Sequence, residues 1–111
     1  MGIRAYARVT FPAAGSPSTS VRRGFGAVVD TAVGRTTFTL ERAIDRNEGC
    51  VLCSFLGTAN SAALNAGTID ADVAAADTTV EIRCRQSSGA LADPAVGTGF
   101  YVAVLDSDDL L

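Results

Sequence analysis

Cys50 and Cys53 stand in the spacing C-x-x-C, which in other settings holds zinc or carries out redox chemistry. In this chain the pair lies within Cys50-Val-Leu-Cys-Ser-Phe-Leu56, a run that reads as a strand, where residues three apart point to opposite faces. The two sulfurs then cannot meet on one ion, and with no His in the chain only Cys84 is left to add. An odd count of three in a cytosolic product points to small buried thiols. A disulfide from Cys84 to one of the pair, if their strands are neighbours, and a bond between copies through a surface Cys are the open alternatives. Asp70, Asp72, Asp77, Asp106, Asp108 and Asp109 could offer oxygen ligands to calcium, but their spacing lacks the EF-hand pattern, and Asp at turns and chain ends is ordinarily solvated or capping. No Ser lies in G-x-S-x-G, and no His is present to activate one. We therefore expect no catalytic, cofactor-binding or metal site and no enzyme activity.

The arginines carry a different chemistry. All 9 positive charges are Arg, with no Lys, and no block of five or more gathers them, so nucleic acid is not an expected ligand. Arg4 and Arg8 share one strand face with Tyr6, while Arg83 and Arg85 share another. A GC-rich genome would explain Arg in place of Lys without any function. The sharper reading is that these planar forks grip carboxylates at an interface. Arg4, Tyr6, Arg8, Arg83, Arg85 and Tyr101 are the candidate interface residues.

Strands must position these groups. Residues 4 to 11 alternate, with Ala5, Ala7, Val9 and Phe11 on one parity and Arg4, Tyr6, Arg8 and Thr10 on the other, the period of a half-buried strand. The Pro/Gly/Ser-rich residues 12 to 20 read as a surface loop. Arg23 to Asp30 and Arg35 to Leu40 flank Thr31-Ala-Val-Gly34 as a hairpin. The apolar run from Cys50 reads as a central strand, Thr58 to Gly67 as an irregular connection, and Thr68 to Val73 as a short edge strand. Thr78 to Arg85 is the cleanest amphipathic segment, with Val80, Ile82 and Cys84 on one face. Phe100 to Leu105 closes the set. Seven or eight strands at this spacing predict an all-β fold, a single antiparallel β-sandwich, jelly-roll-like in architecture.

A chain of 111 residues with 48% hydrophobic residues fits one such domain, spanning 1–106, with an acidic tail at 107–111 expected to fray. The N-terminus lacks a signal-peptide h-region, and no apolar window reaches the length of a membrane span. Synthesis in a cytoplasm, with no membrane partner, is the expectation.

Several segments in order carry a family likeness: Ala7-Arg-Val-Thr-Phe11, Phe25-Gly-Ala-Val-Val29, Gly34-Arg-Thr-Thr-Phe-Thr-Leu40, Ala43-Ile-Asp45, Cys50-Val-Leu-Cys53, Thr79-Val-Glu-Ile-Arg83, and Ala92-Asp93 ahead of Phe100-Tyr-Val-Ala-Val104. Across nearly its whole length the chain resembles the small β-sandwich domain of tailed-phage tail fibres, tail tips and head or neck appendages. The resemblance implies a virion structural module, commonly a homotrimer, with capsid or tail proteins as partners and no catalytic residues to carry over. Without a fibre shaft in the chain, a separately encoded capsid decoration or appendage protein is expected. The rival expectation is a receptor-binding module that recognises host surface glycan through loops at 12 to 20, 57 to 67 and 86 to 99, where aromatic residues for sugar stacking are few.

Overall fold

Alternating small apolar and polar residues start the chain as a strand, and the same rule builds most of the later strands. The structure is a computed structural model that describes residues 2–13, 16–44, 49–56, 68–73, 78–86, 88–94 and 96–106, with the backbone alone at 68, 70 and 72. Eight strands run through the described residues: β1 (Gly2–Ala13), β2 (Ser16–Arg23), β3 (Phe25–Ala32), β4 (Arg35–Leu40), β5 (Cys50–Phe55), β6 (Thr68–Val73), β7 (Thr79–Arg85) and β8 (Gly99–Asp106). They form two four-stranded sheets, in the orders β2-β1-β8-β5 and β3-β4-β7-β6, with every pair antiparallel. The predicted β-sandwich is the fold. Its jelly-roll likeness lies in the two four-stranded layers and the connections that cross between them, while the hairpins β1–β2, β3–β4 and β6–β7 give this chain its own strand order. Among the described residues no helix is long and apolar enough to cross a membrane.

The inward parity of each central strand makes the core. Ala5, Ala7, Val9 and Phe11 of β1 and Phe100, Val102 and Val104 of β8 face Phe38 and Leu40 of β4 and Val80, Ile82 and Cys84 of β7. Four rings tie the two sheets together: Phe25 lies 4.9 Å from Phe38, which lies 6.2 Å from Phe100, itself 6.2 Å from Phe11. Tilted and edge-on contacts of this kind add to the gain from burial. The predicted hairpin is present as β3–β4, with Gly34 in its turn at φ +72°.

Two readings of the chain need correction. The expected loop at 12 to 20 is mostly strand, because β1 runs on to Ala13 and β2 begins at Ser16, with Ser18 and Thr19 paired to Thr10 and Val9. Its loop-like composition suits an edge strand, where Pro17 is tolerated and serines face water. The run from Cys50 is not central, for β5 has β8 on one side and no described strand on the other. A continuous apolar run suggests burial on both faces, yet Cys50 and Leu52 are exposed. The short strand expected at 68 to 73 is an edge, as β6. The irregular connection expected at 58 to 67 and the acidic tail at 107 to 111 lie outside the described residues.

Candidate functional site

Residues directly opposite on antiparallel strands share a face, so the register lays out the outer surface of each sheet row by row. On the β2-β1-β8-β5 sheet, Arg23, Tyr6, Ala103 and Leu52 form one row, and Val21, Arg8, Tyr101 and Ser54 form the next. Ile3, Leu105 and Cys50 make a third, at the end of β8. Ile3, Val21, Leu52 and Tyr101 are 52%, 48%, 56% and 49% exposed. Among the described residues no carboxylate stands in these rows. A shallow groove of about 580 Å³ runs across them, lined by Tyr6, Arg8, Val21, Leu52, Ser54 and Tyr101 among others.

Arg8 is the charge at the centre of this face. Its guanidinium sits 6.0 Å from the centroid of the Tyr101 ring, and Nη1 donates to Ser20 Oγ at 3.4 Å. A cation over a ring face gains about 0.5–1 kcal/mol at an exposed site. An antiparallel sheet with a solvated outer face normally carries polar residues there. This one carries tyrosines and aliphatics beside Arg8, Arg23 and Ser54.

The opposite face is of the ordinary kind. On β4 and β7, Arg35 donates from Nε and Nη2 to Glu81 Oε1 at 3.1 and 3.0 Å, and Arg83 Nε lies 3.8 Å from the same oxygen. Thr31 Oγ1 donates to the Arg35 carbonyl at 3.1 Å and lies 3.3 Å from Thr37 Oγ1. Arg85 Nη1 donates to the Gly89 carbonyl at 3.2 Å.

The six candidate interface residues thus separate into three groups. Tyr6, Arg8 and Tyr101 come together on the dry face, while Arg83 and Arg85 lie on the far side of the sandwich in contacts with their own chain. Arg4 does not share a face with Arg8, because the register of β1 against β8 shifts between Ile3 and Ala5. That shift turns Arg4 toward Asp106, with Nη2 at 3.7 Å from Oδ2 and the two side chains 5% and 1% exposed, and Arg4 also donates to the Ala43 carbonyl. Leu52, Val21, Ile3 and Ser54 are absent from the sequence-based set. Exposed aliphatics carry no chemical signature of their own, and only the strand neighbours reveal that they adjoin.

None of the three cysteines is in a disulfide, with Cys50 exposed, Cys53 half-buried against the core and Cys84 buried. Cys50 and Cys53 point to opposite faces of β5, as their spacing predicts, and Cys84 lies on β7 in the other sheet, so the neighbouring strands that a Cys84 disulfide required are not present. Among the described residues no three His, Cys, Asp or Glu groups come together to hold a metal. Of the aspartates weighed as calcium ligands, Asp106 is committed to Arg4, Asp70 and Asp72 are described by backbone alone, and Asp77, Asp108 and Asp109 lie outside the described residues.

One titratable pair stands apart from the dry face. Asp93 Oδ1 accepts the Gly34 N–H at 2.7 Å, and Asp30 Oδ1 has no hydrogen-bond partner among the described residues. Burial holds the Asp30 carboxyl above its ordinary range, Asp93 pushes the same way, and a hydrogen bond from Ala32 N–H opposes them. No protein-family model, curated protein or solved structure matches this chain.

Proposed function

We propose that this protein is a non-enzymatic structural component of a bacteriophage virion, a homotrimeric capsid decoration or head or tail appendage protein made in the host cytoplasm. The dry outer face of the β2-β1-β8-β5 sheet is its contact with neighbouring copies and with capsid or tail proteins. One observation carries this reading: Ile3, Tyr6, Val21, Leu52 and Tyr101 share a face that bears no carboxylate among the described residues, while on the opposite face Arg35 and Arg83 are paired with Glu81. A soluble domain rarely leaves contiguous apolar surface without a partner for it. The positive charge of Arg8 in the middle, with no carboxylate beside it among the described residues, favours a partner that brings one. Many copies that each bury modest area on a repeating lattice bind tightly in sum. The family resemblance supplies the virion setting.

The test is the mass in solution with and without the double substitution Leu52→Asp and Tyr101→Asp. Both side chains are about half exposed or more, so the fold should survive the change. The unaltered chain is expected at three times 11.3 kDa or a multiple of that mass and to co-sediment with phage particles, and the variant near 11.3 kDa and unbound. An unaltered chain that is monomeric at high micromolar concentration and does not bind particles would falsify the proposal.

A second reading is favoured by the placement of Tyr6 and Tyr101 around Arg8, with the Ser54 hydroxyl in the same groove. Two rings, a fork and a hydroxyl suit a host surface glycan that bears a carboxylate. That site would lie on the sheet, whereas the sequence points to loops. Binding on a glycan array that disappears with Tyr101→Ala would favour this reading, and a silent array would favour the structural one.

A further inference from the structure

Whatever covers the dry face has to answer the charge at its centre. Arg8 donates to Ser20, lies over the Tyr101 ring and stands in no ion pair among the described residues, and Arg23 lies diagonally across from it in the next row. A two-fold contact through this face would bring Arg8 toward Arg8 of the second copy. The groove calls instead for a segment that carries carboxylates and bulky aliphatic side chains together, to meet Arg8 and to cover Val21, Leu52 and Tyr101.

Few stretches of the chain offer that combination. Among the described side chains, Glu81 is paired with Arg35 and Arg83, Asp106 with Arg4, and Asp93 accepts the Gly34 N–H. Asp30 is half-buried, and Glu41 lies between the buried Leu40 and Arg42. Elsewhere in the sequence, Asp45 and Glu48 hold Arg46 and Asn47 between them, Asp70 and Asp72 alternate with residues of β6 that pack on the core, and Asp77 follows three alanines. Ser107-Asp-Asp-Leu-Leu111 sets two carboxylates beside two leucines with no Arg among them.

We propose that residues 107–111 of one copy dock in the outer-face groove of the next, with Asp108 and Asp109 on Arg8 and with Leu110 and Leu111 against Val21, Leu52 and Tyr101. The proposal rests on the self-association inferred above and names the segment that makes the contact.

Reach favours a neighbouring copy over the same one. β8 ends at Asp106, and Tyr101, which is opposite Arg8, lies five residues back along the strand, about 17 Å at the rise of a β-strand. Asp108 and Asp109 are two and three residues beyond Asp106, about 7–10 Å at full extension, so they stop short of the Arg8 row of their own copy. A groove that takes a segment from one neighbour while its own copy gives one to another makes a heterologous contact, which closes into rings of odd or even copy number. A trimer is such a ring. Closing it makes the last contact intramolecular, so contacts that are each modest hold together.

The experiment reads mass by light scattering at high micromolar concentration, with melting curves, for the unaltered chain, for Asp108→Arg with Asp109→Arg, for Leu52→Asp with Tyr101→Asp, and for an equal mixture of the two variants. The first variant spoils the segment and keeps the groove, and the second does the reverse. We expect three times 11.3 kDa or a multiple for the unaltered chain, about 11.3 kDa for each variant alone, and about twice 11.3 kDa for the mixture, in which one intact segment meets one intact groove and no ring can close. A folded segment variant that keeps the unaltered mass, or a mixture that stays at 11.3 kDa, overturns the docking and leaves self-association standing. An unaltered chain that is monomeric overturns both. Should a variant fail to fold, a peptide of residues 107–111 added in excess to the unaltered chain reads the same contact: the mass should fall toward 11.3 kDa, and an unchanged mass overturns the docking.

Discussion

Asp30 is opposite the buried Thr36 on the β3–β4 hairpin, with one carboxylate oxygen lacking a hydrogen-bond partner among the described residues. Its folded pKa is raised above 3.8, first by burial and then by Asp93, so ionising it is harder in the folded chain than in the unfolded one. Proton linkage sets the sign: stability falls as pH rises through the window between 3.8 and the raised folded value, and the penalty persists at neutral pH. Asp30→Asn removes that penalty. Melting curves from about pH 3 to pH 7 should show the variant more stable than the unaltered chain at neutral pH, with the advantage shrinking in acid. A variant that melts lower at neutral pH would count against the assignment. Arg4 and Asp106 are the contrasting case, a buried pair that also satisfies the Ala43 carbonyl and fastens the start of β1 to the end of β8. Breaking a buried pair of this sort costs about 3–5 kcal/mol, because one charge is left without its partner.

Among the elements, the β3–β4 hairpin depends on its turn glycine. Gly34 has φ +72°, its N–H donates to Asp93, and its carbonyl accepts the Cys84 N–H at 2.8 Å. A Cβ there would stand 2.7 Å from Ala92 N and 2.8 Å from the Cys84 carbonyl oxygen, so backbone would have to move. Gly34→Ala should therefore destabilise the fold by about 1–3 kcal/mol in denaturant titration, the sum of a left-handed residue and a displaced strand contact. A change of a few tenths of a kcal/mol would mean that the turn relaxes freely. The same turn links the 88–94 segment to the sandwich, since Ala92 N–H donates to the Cys84 carbonyl at 3.0 Å and Asp93 holds Gly34.

Taken whole, the molecule has two outer faces that differ in kind. One is an ion-paired surface around Arg35, Glu81 and Arg83, and the other is a dry surface around Leu52 and Tyr101. This asymmetry suits a protein that is wetted on one side and covered on the other. The thiols make a separate prediction. Cys84 is buried, Cys53 is half-buried and none of the three is in a disulfide, so the assembly proposed above should rest on surface contact and its mass should be the same with and without reductant. Dissociation on reduction would instead locate Cys50, the exposed thiol, at a covalent junction between copies.

Period-2 alternation is enough to specify β1, β7 and the sandwich class, because Ala5 to Phe11 and Val80 to Cys84 state which side of each strand is buried without reference to any neighbour. The β3–β4 hairpin is equally local, carried by one glycine in a turn. The outer faces are not local. Whether β5 lies in the middle or at an edge depends on what pairs beyond it, and an apolar run looks the same in both places. Arg4 leaves the face it would share with Arg8 through a one-residue shift against β8, nearly 100 positions away in the chain. Tyr6, Tyr101, Val21 and Leu52 become one surface because β1 pairs with both β2 and β8, and β8 with β5. Side-chain parity is set by each residue's own backbone and can be read along the chain. Adjacency between strands is set by long-range pairing, so it exists only once the sheets have assembled.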